Sequence, residues 1–460
     1  MMDVDSIKSV YFVGAGGIGM SALVRYFLSL GKVVAGYDRT ASELTERLNA
    51  EGAAIHYEDS VELIPEACKD KEHTLVVYTP AVPQNHSELT WLREQGFEIQ
   101  KRAQVLGTIT RSRRGLCVAG THGKTTTSSM AAHLVYSSQV GATAFLGGIS
   151  QNYGTNLLLT DKSDYVVIEA DEYDRSFHQL RPYMTVITST DPDHLDIYGT
   201  PEAYWESFEK YTTLIQPGGA LIIHEGLEIT PRIQDGVRVF TYSRDKGDYH
   251  AENVRIGGGE IVFDFVHPNG VVKDIALGVP LSVNIDNGIA AMAMAQLVGV
   301  TDEELRESMA SFRGVERRFD FKLKTDAKVY LSDYAHHPAE IRQSALSIRE
   351  LYAGRKVTAI FQPHLYSRTQ DFYLEFAESL SLFDEVILTN IYPAREEPIL
   401  GVTSALIYDN LAPQVQKQMI ARDEVPAIVA AKRDELEVLV TLGAGDIENF
   451  AAEITQILKG

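Results

Sequence analysis

Cysteine is scarce in this sequence: the 460 residues include only Cys68 and Cys117. Two cysteines are too few for a disulfide framework and their spacing fits no metal-binding motif, so we expect a reducing compartment. Apolar runs of about 18 residues are also missing, which argues against a membrane-spanning helix. The first ten residues, MMDVDSIKSV, are acidic and lack a long apolar core. We therefore expect no signal peptide and predict a cytoplasmic location.

Positive charge is scarce too. The chain has 42 Lys and Arg against 63 Asp and Glu, a formal net charge of −21. Such a chain repels polyanions, which argues against broad binding of nucleic acid or of an anionic membrane. Small anionic ligands remain compatible with it, because they need only a local cluster of donors. The composition is otherwise that of an ordinary globular protein, and the length predicts two to four domains.

Strand and helix patterns alternate along the chain. Apolar strands such as Val10–Val13 and Val33–Tyr37 flank a helical pattern that stops at Gly31, which is typical of a parallel sheet covered by helices. Between residues 237 and 280, short alternating stretches separated by glycine turns indicate a small antiparallel sheet. We predict three α/β domains, at residues 1–107, 108–313 and 314–460.

The first glycine loop is Gly14-Ala15-Gly16-Gly17-Ile18-Gly19. It follows a strand, opens a helix, and has Asp38 nineteen residues after Gly19, where a carboxylate could hold ribose hydroxyls. A helix N-terminus with close glycine backbone binds any diphosphate, so the loop does not choose its ligand. A nicotinamide or flavin cofactor is one interpretation, and a nucleotide-diphosphate substrate is the other.

The second glycine loop is Gly120-Thr121-His122-Gly123-Lys124-Thr125-Thr126-Thr127. It is not a full Walker A sequence, because Val118 stands where the first glycine would be. Its backbone N–H groups can still cradle phosphates, Lys124 can reach the β- and γ-phosphates, and the Thr125 hydroxyl can ligate Mg²⁺. Two such loops in one chain indicate ATP-driven chemistry on a substrate that itself contains a nucleotide diphosphate.

Acids and histidines follow the predicted strands. Glu169 and Asp171 come directly after one strand and His194 follows the next, at the sheet edge where Mg²⁺ would bind. In the last domain His336 and His337 follow a strand and could accept a proton from an ammonium group. Arg368 is suited to bind a carboxylate with two hydrogen bonds.

Six segments occur in a fixed order: GTHGKTTTS, EADEYD, DPDHLD, RRFDF, DYAHHPAE and QPHLYSRT. Together they resemble the Mur ligase family, over nearly the whole chain and most closely its alanine-adding branch. The resemblance implies an N-terminal Rossmann-like domain for a UDP-sugar and a central P-loop ATPase-type domain with a small antiparallel sheet. It also implies a C-terminal Rossmann-like domain that closes on ATP and the amino acid.

The resemblance further implies ATP- and Mg²⁺-dependent ligation of L-alanine to the lactyl carboxylate of UDP-N-acetylmuramate, for peptidoglycan precursor synthesis. The implied UDP-sugar contacts are Gly16, Gly17, Ile18, Gly19 and Asp38. The implied ATP contacts are Gly120, Thr121, His122, Gly123, Lys124, Thr125, Thr126, Asn284, Asn287, Arg318 and Asp333. The implied metal ligands are Thr125, Glu169 and His194. The residues expected to act in catalysis are Lys124, His194, His336 and Arg368.

Three alternatives stay open at this point. A related ligase of the same family adds a whole tripeptide to the same sugar nucleotide, although QPHLYSRT favours the alanine enzyme. A nicotinamide-dependent oxidoreductase would use the first glycine loop and leave the second without a role. A regulatory nucleotide-binding protein would leave the polar residues at the strand ends unexplained.

Overall fold

The computed structural model describes residues 6–79, 82–83, 85–316, 318–394 and 396–460. The chain forms two compact units. The first contains the residues up to Glu252 together with residues 264–275 and 285–312, and the second contains residues 253–263, 276–284 and 313–460. Within the described ranges, no helix is both long enough and apolar enough to cross a membrane.

A five-stranded parallel sheet begins the first unit, in the order β3-β2-β1-β4-β5. Its strands are β1 (Ser9–Val13), β2 (Val33–Tyr37), β3 (Ala54–His56), β4 (Thr74–Tyr78) and β5 (Glu98–Lys101). The accompanying helices are α1 (Ile18–Ser29), α2 (Glu43–Ala50), α3 (Ser87–Glu94) and α4 (Arg102–Ser112). Helix α1 stops where the sequence predicts, because Gly31 adopts φ +70° and donates its N–H to Leu28 O at 2.9 Å.

A seven-stranded sheet follows in the same unit, in the order β12-β11-β10-β6-β9-β7-β8. Its strands are β6 (Arg114–Ala119), β7 (Thr143–Ser150), β8 (Thr155–Leu158), β9 (Tyr165–Glu169), β10 (Pro182–Ile187), β11 (Ala220–His224) and β12 (Arg238–Tyr242). Strand β8 runs antiparallel to β7, and the other pairs are parallel. Helices α5 (Lys124–Ser137), α6 (Leu195–Tyr198) and α7 (Pro201–Thr212) accompany it, and α8 (Val283–Leu297) and α9 (Asp302–Ser311) come later in the chain.

The predicted small antiparallel sheet is confirmed. It comprises β13 (His250–Gly257), β14 (Glu260–His267) and β15 (Gly270–Ala276). The turn between the first two strands is made by glycines, with φ +61° at Gly258 and +78° at Gly259, values that other residues rarely adopt. These two glycines therefore allow the tight turn that joins β13 to β14.

The second unit contains a six-stranded sheet in the order β16-β17-β21-β18-β19-β20. The strands are β16 (Asp320–Lys324), β17 (Val329–Asp333), β18 (Val357–Phe361), β19 (Glu385–Leu388), β20 (Gln416–Met419) and β21 (Val438–Leu442). Only β16, at the edge, pairs antiparallel. The helices are α10 (Pro338–Leu351), α11 (Tyr366–Leu380), α12 (Ala405–Asn410), α13 (Val425–Lys432) and α14 (Ala451–Lys459). The predicted α/β class is confirmed, while the exact domain limits stay predictions.

Candidate active site

The first glycine loop joins β1 to α1 and is held by Asp38 at the end of β2. The Gly16 N–H donates to Asp38 Oδ2 at 2.6 Å, and the Thr40 N–H donates to Asp38 Oδ1 at 3.2 Å. A Cβ at Gly16 would stand only 2.9 Å from Oδ2. Asp38 therefore shapes the loop, and its predicted contact with uridine stays a prediction.

The first turn of α1 borders a cavity of about 310 Å³. Gly17 caps the helix without a side-chain acceptor, and the first turn carries no acid. Ile18, Gly19 and Arg102 line the cavity. The guanidinium of Arg102 packs directly against Gly19, because a Cβ at Gly19 would lie only 2.5 Å from Arg102 Nη1. Sequence reasoning missed Arg102, although its place directly after β5 was a usable signal. A helix N-terminus and a guanidinium here favour an anionic ligand.

The same cavity reaches the predicted metal-site carboxylates, since Glu169 and Asp171 also line it. Thr125 Oγ1 donates to Glu169 Oε1 at 3.2 Å. Glu169 Oε2 is buried and has no hydrogen-bond partner among the described residues. Gly147 on β7 makes room for this oxygen, because a Cβ there would collide with it. A hydroxyl beside an unpartnered carboxylate oxygen suits a hard cation such as Mg²⁺.

The second glycine loop follows β6, and α5 begins at Lys124. Gly120 adopts φ +138° and Gly123 adopts φ +79°. The Thr121 hydroxyl donates to Asp191 O at 2.7 Å, and the exposed His122 donates its N–H to Ser189 Oγ at 2.8 Å. These contacts tie the loop to the segment that follows β10.

Lys124 is held by the loop and by a carboxylate that the sequence did not single out. Its Nζ donates to Gly120 O at 2.6 Å and to Glu172 Oε1 at 2.8 Å. Glu172 is 1% exposed. Burial raises the pKa of Glu172, and the positive charge of Lys124 opposes that rise. The predicted contact of Lys124 with phosphate oxygens would require the lysine to leave these two partners.

His194 stands just before α6 in a left-handed conformation, with φ +53°. Its ring lies edge-on to Tyr173 with centroids 5.1 Å apart, and Nε2 is 3.7 Å from Asp193 Oδ2. Among the described residues, no hydrogen bond or ion pair joins it to Thr125 or Glu169. A strained backbone is frequent at functional positions. The predicted metal role of His194 stays a prediction.

Asn284 and Asn287 both lie on α8 and are buried, 2% and 7% exposed. Asn287 Oδ1 accepts the Thr127 hydroxyl at 3.1 Å, and Asn284 Nδ2 donates to Val279 O at 3.1 Å. Both side chains thus have bonds within the protein. Their predicted contact with adenine stays a prediction.

In the second unit, Asp333 at the end of β17 organises the turn that carries Arg318. Its Oδ1 accepts the N–H groups of Phe319 at 3.3 Å and Ala335 at 3.4 Å, and Oδ2 accepts the Ser344 hydroxyl. Burial raises the pKa of Asp333, and these three hydrogen bonds oppose that rise. Arg318 itself is exposed. Asp333 therefore holds the turn in its conformation. The predicted contacts of Asp333 and Arg318 with ATP stay predictions.

The two adjacent histidines have different surroundings. His337 caps α10 by accepting the Ala339 N–H at 3.4 Å. His336 faces His364 edge-on with centroids 5.8 Å apart, and its Nδ1 lies 2.9 Å from Tyr334 O. The structure thus distinguishes a helix-capping His337 from His336, which joins a cluster of polar rings.

Arg368 belongs to the same cluster. Burial lowers the pKa of His364, and the charges of His336 and Arg368 act in the same direction. Arg368 Nη1 is buried without a hydrogen-bond partner among the described residues. Leu365, between these side chains, has φ +72°, a strained value for a leucine. A buried guanidinium nitrogen left unpaired suits an incoming carboxylate.

Three descriptions of one family match consecutive parts of the chain. "Mur ligase family, catalytic domain" matches residues 9–114, "Mur ligase middle domain" matches residues 118–295, and "Mur ligase, glutamate ligase domain" matches residues 317–445. The chain belongs to the Mur ligase family.

Individual Mur ligases match over the full length. The UDP-N-acetylmuramate–L-alanine ligase of Phocaeicola vulgatus is 66% identical over 458 residues, covering 100% of both chains. The enzyme of the same name from Parabacteroides distasonis is 61% identical, covering 99% of this chain and 98% of its own. The crystal structure of UDP-N-acetylmuramate–alanine ligase from Thermotoga maritima superposes with a TM-score of 0.82 at 27% identity, covering 98% of this chain and 99% of that one.

Proposed function

We propose that this Mur ligase uses ATP to join L-alanine to the lactyl carboxylate of UDP-N-acetylmuramate, a step of peptidoglycan precursor synthesis. The observation that carries the proposal is the 66% identity over 458 residues to a relative of that name. The geometry supports it, because the first glycine loop and Glu169 line one cavity. The two cysteines, both buried and free, agree with a reducing cytoplasm.

In the first step the lactyl carboxylate attacks the γ-phosphorus of ATP, giving an acyl phosphate and ADP. A carboxylate is a poor electrophile, and phosphorylation supplies the leaving group that the amide bond requires. Lys124 leaves Glu172 and the carbonyl of Gly120 to contact the β- and γ-phosphates, where its charge offsets the repulsion between the two anions. Thr125, Glu169 and His194 would hold Mg²⁺, which screens the same charges when bound.

In the second step the amine of L-alanine attacks the acyl phosphate, and phosphate leaves from a tetrahedral intermediate. Arg368 receives the carboxylate of L-alanine through its unpaired buried nitrogen. His336 accepts the proton that the ammonium group must lose before it can attack. Water has to be kept from the acyl phosphate, because hydrolysis would waste the ATP.

The remaining assignments belong to the same proposal. The UDP diphosphate binds the first turn of α1 and its loop, through Gly16, Gly17, Ile18 and Gly19, with Asp38 supporting the loop. The ATP contacts are the second glycine loop and the residues near the adenine and phosphates: Gly120, Thr121, His122, Gly123, Thr126, Asn284, Asn287, Arg318 and Asp333.

The test is release of phosphate from ATP with UDP-N-acetylmuramate, comparing L-alanine, glycine, L-serine and the tripeptide as acceptors. We expect turnover to require the sugar nucleotide and to be fastest with L-alanine. Faster turnover with the tripeptide would replace the proposed acceptor. Oxidation of NADH in place of ATP turnover would reject the ligase function altogether.

A further inference from the structure

Asn156 on β8 connects the central sheet to helix α1. Its side chain is completely buried, at 0% exposure. Nδ2 donates to Ile18 O at 2.6 Å and to Ser21 Oγ at 2.8 Å, and Oδ1 accepts a hydrogen bond from Arg25 Nη1. All three partners lie on α1. One carboxamide therefore fixes the helix at its first turn and again one turn later.

The partners of Asn156 are themselves fixed. Arg25 donates through Nε and Nη2 to Glu51, at 2.8 and 2.9 Å, so its guanidinium has a defined orientation. The Ser21 hydroxyl also donates to Ile18 O, at 2.9 Å. Apolar packing alone would let α1 slide or rotate over β8, whereas three directional hydrogen bonds select one position.

The other end of this connection is the predicted metal site. Strand β8 pairs with β7, where Leu157 lies opposite Phe145, and Phe145 in turn lies opposite Ile168 of β9. Glu169 follows Ile168, and Gly147 of β7 makes the space for its carboxylate. A short path of paired strands thus runs from Asn156 to Glu169 and Thr125.

We infer that Asn156 is a positioning residue that sets the distance between the diphosphate-binding turn of α1 and the phosphate-transfer site. The inference rests on the proposed function. The sugar nucleotide is anchored at its diphosphate, so any shift of α1 is carried to the lactyl carboxylate at its other end. Reacting atoms must approach to roughly 3–3.5 Å, and small misplacements lower the rate of the chemical step more than they lower binding.

The test variant is Asn156→Asp, which keeps the shape and the acceptor for Arg25. It loses both Nδ2 donations and sets a carboxylate oxygen against Ile18 O. We expect kcat to fall by about 10- to 100-fold. The dissociation constants of UDP-N-acetylmuramate and of ATP, measured separately by calorimetry, should change by less than about 3-fold, because the binding groups themselves are intact.

Ser29→Ala is the matched control. It removes a hydroxyl at the end of α1 that donates to Tyr26 O at 2.7 Å and leaves the bonds of Asn156 to α1 in place, so kcat should equal that of the wild type. Rates are expressed per folded molecule, from circular dichroism at the assay temperature. A residue that only supports the fold would lower the melting temperature and leave this kcat unchanged.

The outcomes separate the two proposals. Wild-type protein without turnover of UDP-N-acetylmuramate and L-alanine would reject the proposed function. Wild-type turnover together with an unchanged kcat for Asn156→Asp would overturn the role of Asn156 alone. If Asn156→Asp does not fold, Ser21→Ala measures the same contact from the helix side. A lower kcat with unchanged dissociation constants then supports the inference, and an unchanged kcat overturns it.

Discussion

At the scale of single residues, the buried pair of Lys124 and Glu172 bears on stability, apart from the role proposed for Lys124 in phosphate transfer. The Glu172 side chain is 2% exposed and that of Lys124 is 14% exposed, so each depends on the other for neutralisation. Lys124→Met leaves the buried carboxylate without its partner, which should lower the free energy of unfolding by about 3–5 kcal/mol. Urea unfolding at pH 7.5 measures this loss.

The double variant separates stability from chemistry. Adding Glu172→Gln to Lys124→Met removes the unpaired charge, so most of the lost stability should return. Phosphate release should stay more than about 100-fold below that of the wild type, because no cation reaches the transferred phosphate. Recovery of activity in the double variant would show that Lys124 has no role in phosphoryl transfer.

Glu88 predicts a dependence of stability on pH. It is completely buried, accepts hydrogen bonds from Tyr11 Oη at 2.7 Å and the Ser60 N–H at 3.0 Å, and has Asp59 nearby. Burial raises its pKa from 4.5 to about 7. Because the folded state favours the protonated form, this stabilising contribution is complete below pH 4.5 and is lost as the pH rises through 7. The difference of about 2.5 between the pKa of Glu88 in the folded and unfolded states corresponds to about 3 kcal/mol in the free energy of unfolding.

The measurement is urea unfolding of the wild type and Glu88→Gln between pH 4.5 and 8. The wild type should lose stability across this window, and the variant should lose less, because its amide does not ionise. Burial lowers the pKa of both His56 and His86, which lie beside Glu88. The variant keeps both histidines, so their effect on the slope is common to the two proteins. Equal slopes for the two proteins would contradict the raised pKa of Glu88.

Residue types at strand ends could be predicted from the sequence, while their partners could not. The acids and histidines that follow parallel strands were expected at one sheet edge, and in the structure the Thr125 hydroxyl donates to Glu169. The site roles of Lys124, Thr125 and Glu169 stay predictions. Glu172 and Asn156 were not foreseen, because a buried polar side chain is recognisable only once its distant partners are in place. Asp38 accepts the Gly16 N–H, a contact that the motif alone does not reveal, and its expected contact with a ligand stays a prediction.

At the scale of elements, most strands could be predicted and the β7–β8 hairpin could not. Strand β2 (Val33–Tyr37) has the limits expected from the sequence, and β1 begins one residue before the expected Val10, at Ser9. Strand β7 contains Gly147 and Gly148, which weaken the local strand signal, and it is held by pairing with β8 and β9 on either side. Tertiary pairing is therefore what makes this segment a strand.

The glycine that weakens β7 also gives a prediction. Gly147→Ala places a methyl group against Glu169 Oε2, which must then move. Because this carboxylate is a proposed Mg²⁺ ligand, the free Mg²⁺ concentration for half-maximal activity should rise by about 10- to 100-fold. Phosphate release at fixed ATP, titrated with MgCl₂, measures the shift. Ser150→Ala on the same strand should leave the curve unchanged, and an identical curve for Gly147→Ala would argue against Glu169 as a ligand.

At the scale of the whole molecule, the two compact units are expected to respond differently to the sugar nucleotide. The chain has two tryptophans, Trp91 on α3 and Trp205 on α7, and both belong to the first unit. Tryptophan fluorescence therefore reports unfolding of that unit, while far-ultraviolet circular dichroism reports both. All the proposed contacts with UDP also lie in the first unit, from Gly16 to Asp38.

Ligand binding to a folded unit stabilises that unit by RT ln(1 + L/Kd), where L is the free ligand concentration, so the gain rises with the logarithm of that concentration. UDP-N-acetylmuramate at a hundred times its dissociation constant should add about 2.7 kcal/mol to the free energy of unfolding followed by tryptophan fluorescence. The remaining circular dichroism change, which belongs to the sheet of β16 to β21, should keep its urea midpoint because none of the UDP contacts lies there. Equal shifts of both signals would mean that the two units unfold as one cooperative body. A shift of the circular dichroism signal alone would move the UDP site to the second unit.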